Sequence, residues 1–292
     1  MSSYLEKADV IRRPFECFYF DTETNGFPVP AHNHYYMEMV MILEGSVLVT
    51  SNGRKYTARE NDMVVIYPNA VHSYSAVDAN RLRAAVFKLD ISRLDLSSVY
   101  SPKTRSIAVK LEEERTDIVV AAEDMKGIPC RALFERCIQE VQEEKFGYDQ
   151  IVRASISVLM TELFRYYLRK GFTLDVDTYA LDDQYDIYCV TEYILENMGS
   201  NVRVEDMARK CGMSYSGFAR KFKEIYGMTC KEYMEELRIG RVEEMLAYTD
   251  FDLNAIAQEC GYSDCSHLIN CFKKYKGITP AKYRERRKWS QK

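Results

Sequence analysis

Near its end the chain resembles itself. VEDMARKCGMS (204–214) aligns with LNAIAQECGYS (253–263) at an offset of 49, and SGFARKFKEIYGMT (216–229) aligns with SHLINCFKKYKGIT (266–279) at an offset of 50. Such a repeat constrains the fold strongly, because one local structure has to suit both copies. Val204, Met207, Ala208, Cys211 and Leu253, Ile256, Ala257, Cys260 fall at i, i+3, i+4, i+7, the stripe of a helix with one buried face. Gly212 and Gly261 follow, where a tight or left-handed turn ends a helix. Ser214 and Ser263 are suited to cap a next helix. That helix buries Phe218, Phe222, Ile225 in one copy and Leu268, Phe272, Tyr275 in the other. A short helix, a glycine turn and a second helix form a helix-turn-helix unit, whose second helix can enter a major groove.

Between the copies, CKEYMEELRIGRVEEMLAYTD (230–250) reads as one long helix with Tyr233, Leu237, Val242, Met245 and Leu246 inward. With about 17 helical residues it is roughly 26 Å long, a spacer suited to setting two reading helices about one DNA turn, roughly 34 Å, apart. Charge agrees with an anionic partner. The 292-residue chain carries a net charge of −4, yet residues 265–292 hold nine basic side chains against one acid, Glu285. A local concentration of this kind matters more to a nucleic acid than the global sum.

The stretch GYSDCSHLINCFKKYKGITPAKYR (261–284) resembles the closing signature of AraC/XylS-type transcription regulators: a Gly-Tyr turn, Phe-Lys-Lys, then Gly-x-Thr-Pro-x-x-Tyr-Arg. The resemblance covers residues 185–292. It implies an AraC-type domain with a first helix-turn-helix at about 204–227, a linker helix at about 230–248 and a second helix-turn-helix at about 253–277. It implies sequence-specific binding of double-stranded DNA and transcriptional control, commonly activation, with RNA polymerase as partner. Carried over by position, the exposed face of the first reading helix is Tyr215, Ser216, Gly217, Arg220, Lys221 and Lys223. Its counterpart in the second is Asp264, Cys265, Ser266, His267, Asn270, Lys273 and Lys274. Arg220 suits bidentate pairing with guanine and Asn270 with adenine; the lysines suit phosphate, which fixes register without reading sequence. The chain departs from the family at Asn270, where Arg is frequent, and between copies at Cys230, which matches Pro280.

Upstream, residues from about 15 to 115 read as short strands: MEMVMIL (37–43), SVLVT (46–50), Met63 to Ile66, RAAVFKL (83–89) and SIAVKL (106–111), with turn chemistry at SNG (51–53). Such spacing predicts a β-barrel or sandwich. After Pro129 the period changes to helical, giving an antiparallel pair at about 130–170 broken at Gly147. The pair covers the sheet or offers a face to a second copy, and a homodimer is expected. GFTLDVDTYALDDQYD, with five Asp and no Lys or Arg, reads as an exposed acidic linker, placed at 171–184. The whole is expected to be a multidomain α+β chain: a cupin-like sensor and dimerisation domain over 1–170 and an all-α DNA-binding domain over 185–292.

The first part also holds GFPVPAHNHYYMEMVMILEG (26–45). His32, His34 and Glu38 stand at even spacing, so on one extended strand they face the same side, and His72 of IYPNAVHSYS can return to it from another strand. Gly-x5-His-x-His-x3-Glu-x6-Gly followed by Pro68 and His72 resembles the cupin barrel motifs, with Asp62 and Ala70 where the second motif usually has glycines. Three imidazoles and a carboxylate also suit a divalent transition metal. Hence the rival reading of a metal-dependent cupin enzyme, a dioxygenase or isomerase. The preferred expectation is a non-enzymatic pocket without a resident cofactor. There His32, His34, Glu38 and His72, aided by Tyr35, Tyr36 or Tyr74, bind a small-molecule effector, a sugar or related metabolite by family resemblance.

Cys260, Cys265, His267 and Cys271 mimic zinc ligands, but their spacing matches no closed structural pattern. No P-loop or nucleophile elbow is present. No apolar run approaches the roughly 18 residues of a membrane span, and no signal-peptide core stands at the start. A cytoplasmic protein with reduced thiols is expected.

Overall fold

The computed structural model describes residues 4–5, 14–77, 81–94, 102–175, 187, 190–200 and 202–290. They fall into two compact units, one running to residue 175 and the other from 187 onward.

The first unit is built on two five-stranded sheets. One has the order β1 (Tyr4–Leu5), β3 (Val29–Asn33), β8 (His72–Ala76), β5 (Ser46–Ser51), β6 (Arg54–Arg59). The other has the order β10 (Val119–Val120), β7 (Met63–Ile66), β4 (Met37–Glu44), β9 (Arg83–Leu89), β2 (Phe15–Asp21). All pairs are antiparallel except β1 with β3. β4 is central and buried from Met37 to Leu43, which explains its apolar run from Met39 to Leu43; Glu38 is the one charged residue in that buried span. β5 alternates inward and outward, as a strand wet on one face does. Ser51 pairs with Arg54, so β5 and β6 turn through Asn52 and Gly53, both at positive φ (46° and 80°). That is the two-residue turn whose twist matches the strands. The cupin-like double sheet with a helical pair is thus the fold the sequence predicted.

SIAVKL is a correction. It lies in a helix, α1 (Thr104–Glu113), which buries Thr104, Ile107, Ala108 and Leu111. Those positions are i, i+3, i+4, i+7. The apolar, β-branched look of the hexapeptide hid a helical period that begins two residues earlier. The helical pair is α2 (Cys130–Glu143) and α3 (Tyr148–Arg169), which begins after Gly147 at φ 77°. α2 packs on β2, β4 and β9, where Phe134 stacks on Phe87 with ring centroids 4.0 Å apart. Covering the sheet is therefore a role the pair performs. The start of the acidic stretch is a second correction: Phe172 is buried in this core and Asp175 pairs with Lys110 at 3.0 Å, so 171–175 belongs to the first unit. Residues 176–184 of that stretch lie outside the described residues.

The second unit is helical: α4 (Val190–Glu196), α5 (Val204–Lys210), α6 (Tyr215–Tyr226), α7 (Cys230–Tyr248), α8 (Leu253–Glu259), α9 (Cys265–Lys276) and α10 (Pro280–Ser290). The repeat holds in three dimensions. Gly227 and Gly277 end α6 and α9 at φ 71° and 72°, and Thr229 and Thr279 hold the starts of α7 and α10. Cys230 and Pro280 occupy the same first helical position, where a missing N–H leaves no intrahelical bond unmade. α7 serves both copies. Tyr233 joins Phe222 and Tyr226 on one side, with centroids 5.5 and 4.8 Å away, while Val242, Met245 and Leu246 pack with Ile256, Leu268 and Phe272 on the other. A side chain at Gly261 would meet the Met198 carbonyl oxygen at 2.2 Å, so this turn needs glycine for space as well as for its φ of 74°. The capping expectation is half right. Ser214 accepts from the Gly217 N–H, but Asp264 rather than Ser263 caps the second helix, accepting from the His267 N–H at 2.8 Å.

Candidate functional site

His32, His34, Glu38 and His72 come together, though not from one strand. His32 lies on β3, Glu38 on β4 in the other sheet, and His34 in the segment that crosses between them. The even spacing gave the right cluster for the wrong reason. His72 stands on β8 directly opposite His32 in register. All four residues are buried, with 0–4% of their surface exposed. One ring nitrogen from each histidine lies within 4.8 Å of the others.

The tautomers follow from the backbone. Nδ1 of His32, His34 and His72 lies 2.9 Å from the carbonyl oxygens of Pro30, Tyr36 and Ala70, respectively. A carbonyl oxygen only accepts, so each Nδ1 carries a hydrogen, and Nε2 is the nitrogen with the lone pair whenever the ring is neutral. Nε2 of His34 and of His72 lie 3.6 and 4.0 Å from the Glu38 oxygens, beyond hydrogen-bond distance, and neither has a hydrogen-bond partner. Glu38 accepts from the Tyr74 hydroxyl and stands opposite Lys88 in register on β9. Burial pushes the Glu38 carboxyl up, but His34, His72 and Lys88 outweigh it and hold it down at about 2. Burial lowers the His72 imidazole to about 4 despite Glu38, so the ring is neutral at neutral pH. Buried lone pairs converging on a carboxylate, with every Nδ1–H anchored to backbone, fit a divalent metal.

Beside the cluster lies a cavity of about 150 Å³. Its lining is mostly hydrocarbon, from Phe18, Phe20, Phe27, Val40, Val47, Leu82 and Val86, with His32, Glu38, Tyr74 and Lys88 as its polar members. His34, His72 and Tyr36 do not line it; Tyr36 is fully buried and stacks on His34 at 3.7 Å. Lys88 escaped the sequence reading. Its Nζ sits 5.5 Å from the ring centroids of Phe18 and Tyr36. A lysine within the otherwise apolar run RAAVFKL was the available signal.

In the second unit, α6 exposes Tyr215, Ser216, Arg220, Lys221 and Lys223, with Gly217 half-buried in its first turn. α9 exposes Ser266, His267, Asn270, Lys273 and Lys274, with Cys265 half-buried at its start. Asp264 is exposed but its carboxylate is engaged as the cap, which, with Ser263, lowers its pKa. Lys276 is tied to Glu243 of α7. The side chains of residues 287–290, where the basic run ends, lie outside the described residues.

Two family models match the chain: an AraC-like ligand binding domain over residues 14–149 and a helix-turn-helix domain over residues 207–286. The transcriptional activator RhaR of Enterobacter sp. (strain 638) is 22% identical over 265 residues, covering 87% of this chain and 86% of the relative. RhaR of Escherichia coli O1:K1 / APEC is 21% identical over 273 residues, with the same coverage. Among solved structures, apo ToxT K231A from Vibrio cholerae aligns over 93% of this chain and 97% of its own, at 13% identity and a TM-score of 0.41. The DNA-binding domain of AdpA in complex with a target DNA aligns over 36% of this chain and 95% of its own, at 24% identity and a TM-score of 0.35. The chain belongs to the AraC family of transcription regulators.

Proposed function

We propose that this regulator reads double-stranded DNA with α6 and α9 and is controlled by a small molecule bound in the cavity of the first unit. The observation that carries this is the repeat itself. Two helix-turn-helix units of the same build pack on either side of α7, and each turns a second helix with exposed basic and polar side chains outward. Arg220 reads a base edge, and Lys221, Lys223, Lys273 and Lys274 hold phosphates.

The lining of the cavity favours a different effector from the sugar that the family resemblance suggested. A sugar needs hydrogen-bonding partners all round, whereas this wall is hydrocarbon with one polar end. A cavity of about 150 Å³ with such a wall takes a molecule of about one ring. The effector is a small apolar compound with a single polar head. The protein works as a homodimer and activates through RNA polymerase. Exposed Val158 and Leu168 on α3 support the first point, and the naming of its relatives as activators the second. No helix among the described residues is long and apolar enough to cross a membrane.

The test is binding of the full-length protein to a pool of genomic DNA fragments at rising salt. Binding should weaken steeply between 50 and 200 mM salt, by about a thousandfold or more if six or more phosphates are neutralised. Arg220→Glu with Lys221→Glu should abolish it. Unchanged binding by that double variant would refute α6 as a DNA-contacting helix.

A further inference from the structure

We propose that the first unit binds one soft univalent metal ion, Cu(I), in a second cavity floored by Met41, Met63, Met125 and Cys130. The site is separate from the histidine cluster and stands whether or not the effector reading does.

This second cavity, of about 430 Å³, lies on the face of its sheet opposite the effector cavity. β4 divides the two: Val40 and Ile42 line the effector cavity, and Met41 between them lines this one. Met41 stands directly opposite Met63 of β7 in register, so the two side chains leave the sheet on one face. Cβ atoms paired in this way are about 5 Å apart. The loop from β10 to α2 adds Met125, and α2 opens with Cys130. All four are buried, whereas Asn61, Lys126 and Arg131 of the same lining are exposed and mark its mouth.

The donors select the ligand. Four sulfur-bearing side chains line this cavity and none lines the other. Methionine commonly fills irregular gaps in a core, but these three border space instead of closing it. Thioether and thiolate sulfurs are soft donors that favour Cu(I), while the harder divalent ions prefer imidazole, carboxylate and water. Charge points the same way. Thioethers are neutral, and the one acid of the lining, Glu135, is engaged by Arg131 at 3.1 Å. That leaves Cys130, as a thiolate once bound, to offset one positive charge. The cost of burying an ion rises with the square of its charge, so a single charge suits this place and a double one does not. The three rotatable bonds of each methionine let the sulfurs converge on an ion without moving the strands.

The experiment uses full-length protein with isotope-labelled methionine methyl groups. It is titrated anaerobically with Cu(I) in competition with bicinchoninate. In parallel it is titrated with Ag(I), a redox-inert ion of the same charge and softness, and followed by methyl NMR. One equivalent should bind, shifting the methyl resonances of Met41, Met63 and Met125 and leaving those of Met160 and Met245 in place. Zn(II) should leave all five unmoved. Met63→Leu with Met125→Leu nearly keeps volume and should weaken Cu(I) binding at least a hundredfold, with circular dichroism reporting its folding. Met125→Leu alone, a change in a loop, is the second variant should the pair impair folding, and it should weaken binding at least tenfold. Resonances of Met41, Met63 and Met125 that ignore Ag(I), or an affinity unchanged in a folded methionine variant, overturn the site. Uptake kept by the methionine variants but lost in His34→Gln assigns the ion to the histidine cluster and overturns it too. Equal shifts with Zn(II) overturn the choice of a soft univalent ion.

Discussion

The two helix-turn-helix copies have matching interiors and differ on the surface. Inside, Met207 and Ala208 answer Ile256 and Ala257, and Phe218 and Phe222 answer Leu268 and Phe272, all buried. Gly227 and Gly277 close the second helices at nearly equal φ. Outside, α6 carries Arg220 and is capped by neutral Ser214, whereas α9 carries Asn270 and is capped by Asp264. Packing against a common helix constrains volume and period at each core position, and nothing comparable constrains an exposed face. Two helices of one build can therefore carry different side chains outward, as the proposed reading of two different base clusters requires.

The largest expected effects test the match between the two interiors. Phe222→Ala and Phe272→Ala should each destabilise the second unit by about 3–5 kcal/mol, measured by urea unfolding. A difference of more than about 2 kcal/mol between them would break the equivalence of the two cores. Next comes the division of reading. Arg220→Ala should weaken binding to a selected site by about 1–3 kcal/mol, roughly 5- to 150-fold, and relax preference at one base cluster. Asn270→Ala should change affinity less, and equal losses in anisotropy titrations would erase the proposed asymmetry.

The caps give a smaller and more diagnostic pair. Ser214→Ala and Asp264→Ala should each lower stability by about 1 kcal/mol. Only Asp264→Ala removes a negative charge from the start of a helix proposed to face DNA, so it should keep or raise DNA affinity while Ser214→Ala lowers it. The smallest difference concerns the matched cysteines. Cys260 is fully buried, and burial pushes its thiol up to about 12, whereas Cys211 is half-buried. At pH 8 a thiol reagent should modify Cys211 in the native protein and leave Cys260 untouched until unfolding.

How legible each part was follows from the range of the contacts that define it. The second unit could be read nearly residue by residue, because its stripes, glycines and caps are local and stated twice. Even there the sequence preferred Ser263 as a cap over its neighbour Asp264, a choice fixed by the start of the helix at Cys265. The sheets were visible as a class, but α1 passed for a strand because its period was sampled over too few residues. The barrel cluster was found from spacing, yet its geometry depends on β3 and β4 lying in different sheets, which no local pattern records. Lys88 and the apolar wall lay further out of reach. Their meeting with Glu38 depends on strand register over some fifty residues of sequence.

The central claim is that both second helices read bases. The most direct test is selection of bound DNA from a random pool by the purified full-length protein. The account predicts enrichment of a motif with two base clusters about one helical turn apart, the cluster under α6 being the sharper and disappearing in Arg220→Ala. No enrichment by the full-length protein, or a motif that Arg220→Ala leaves unchanged, would contradict it.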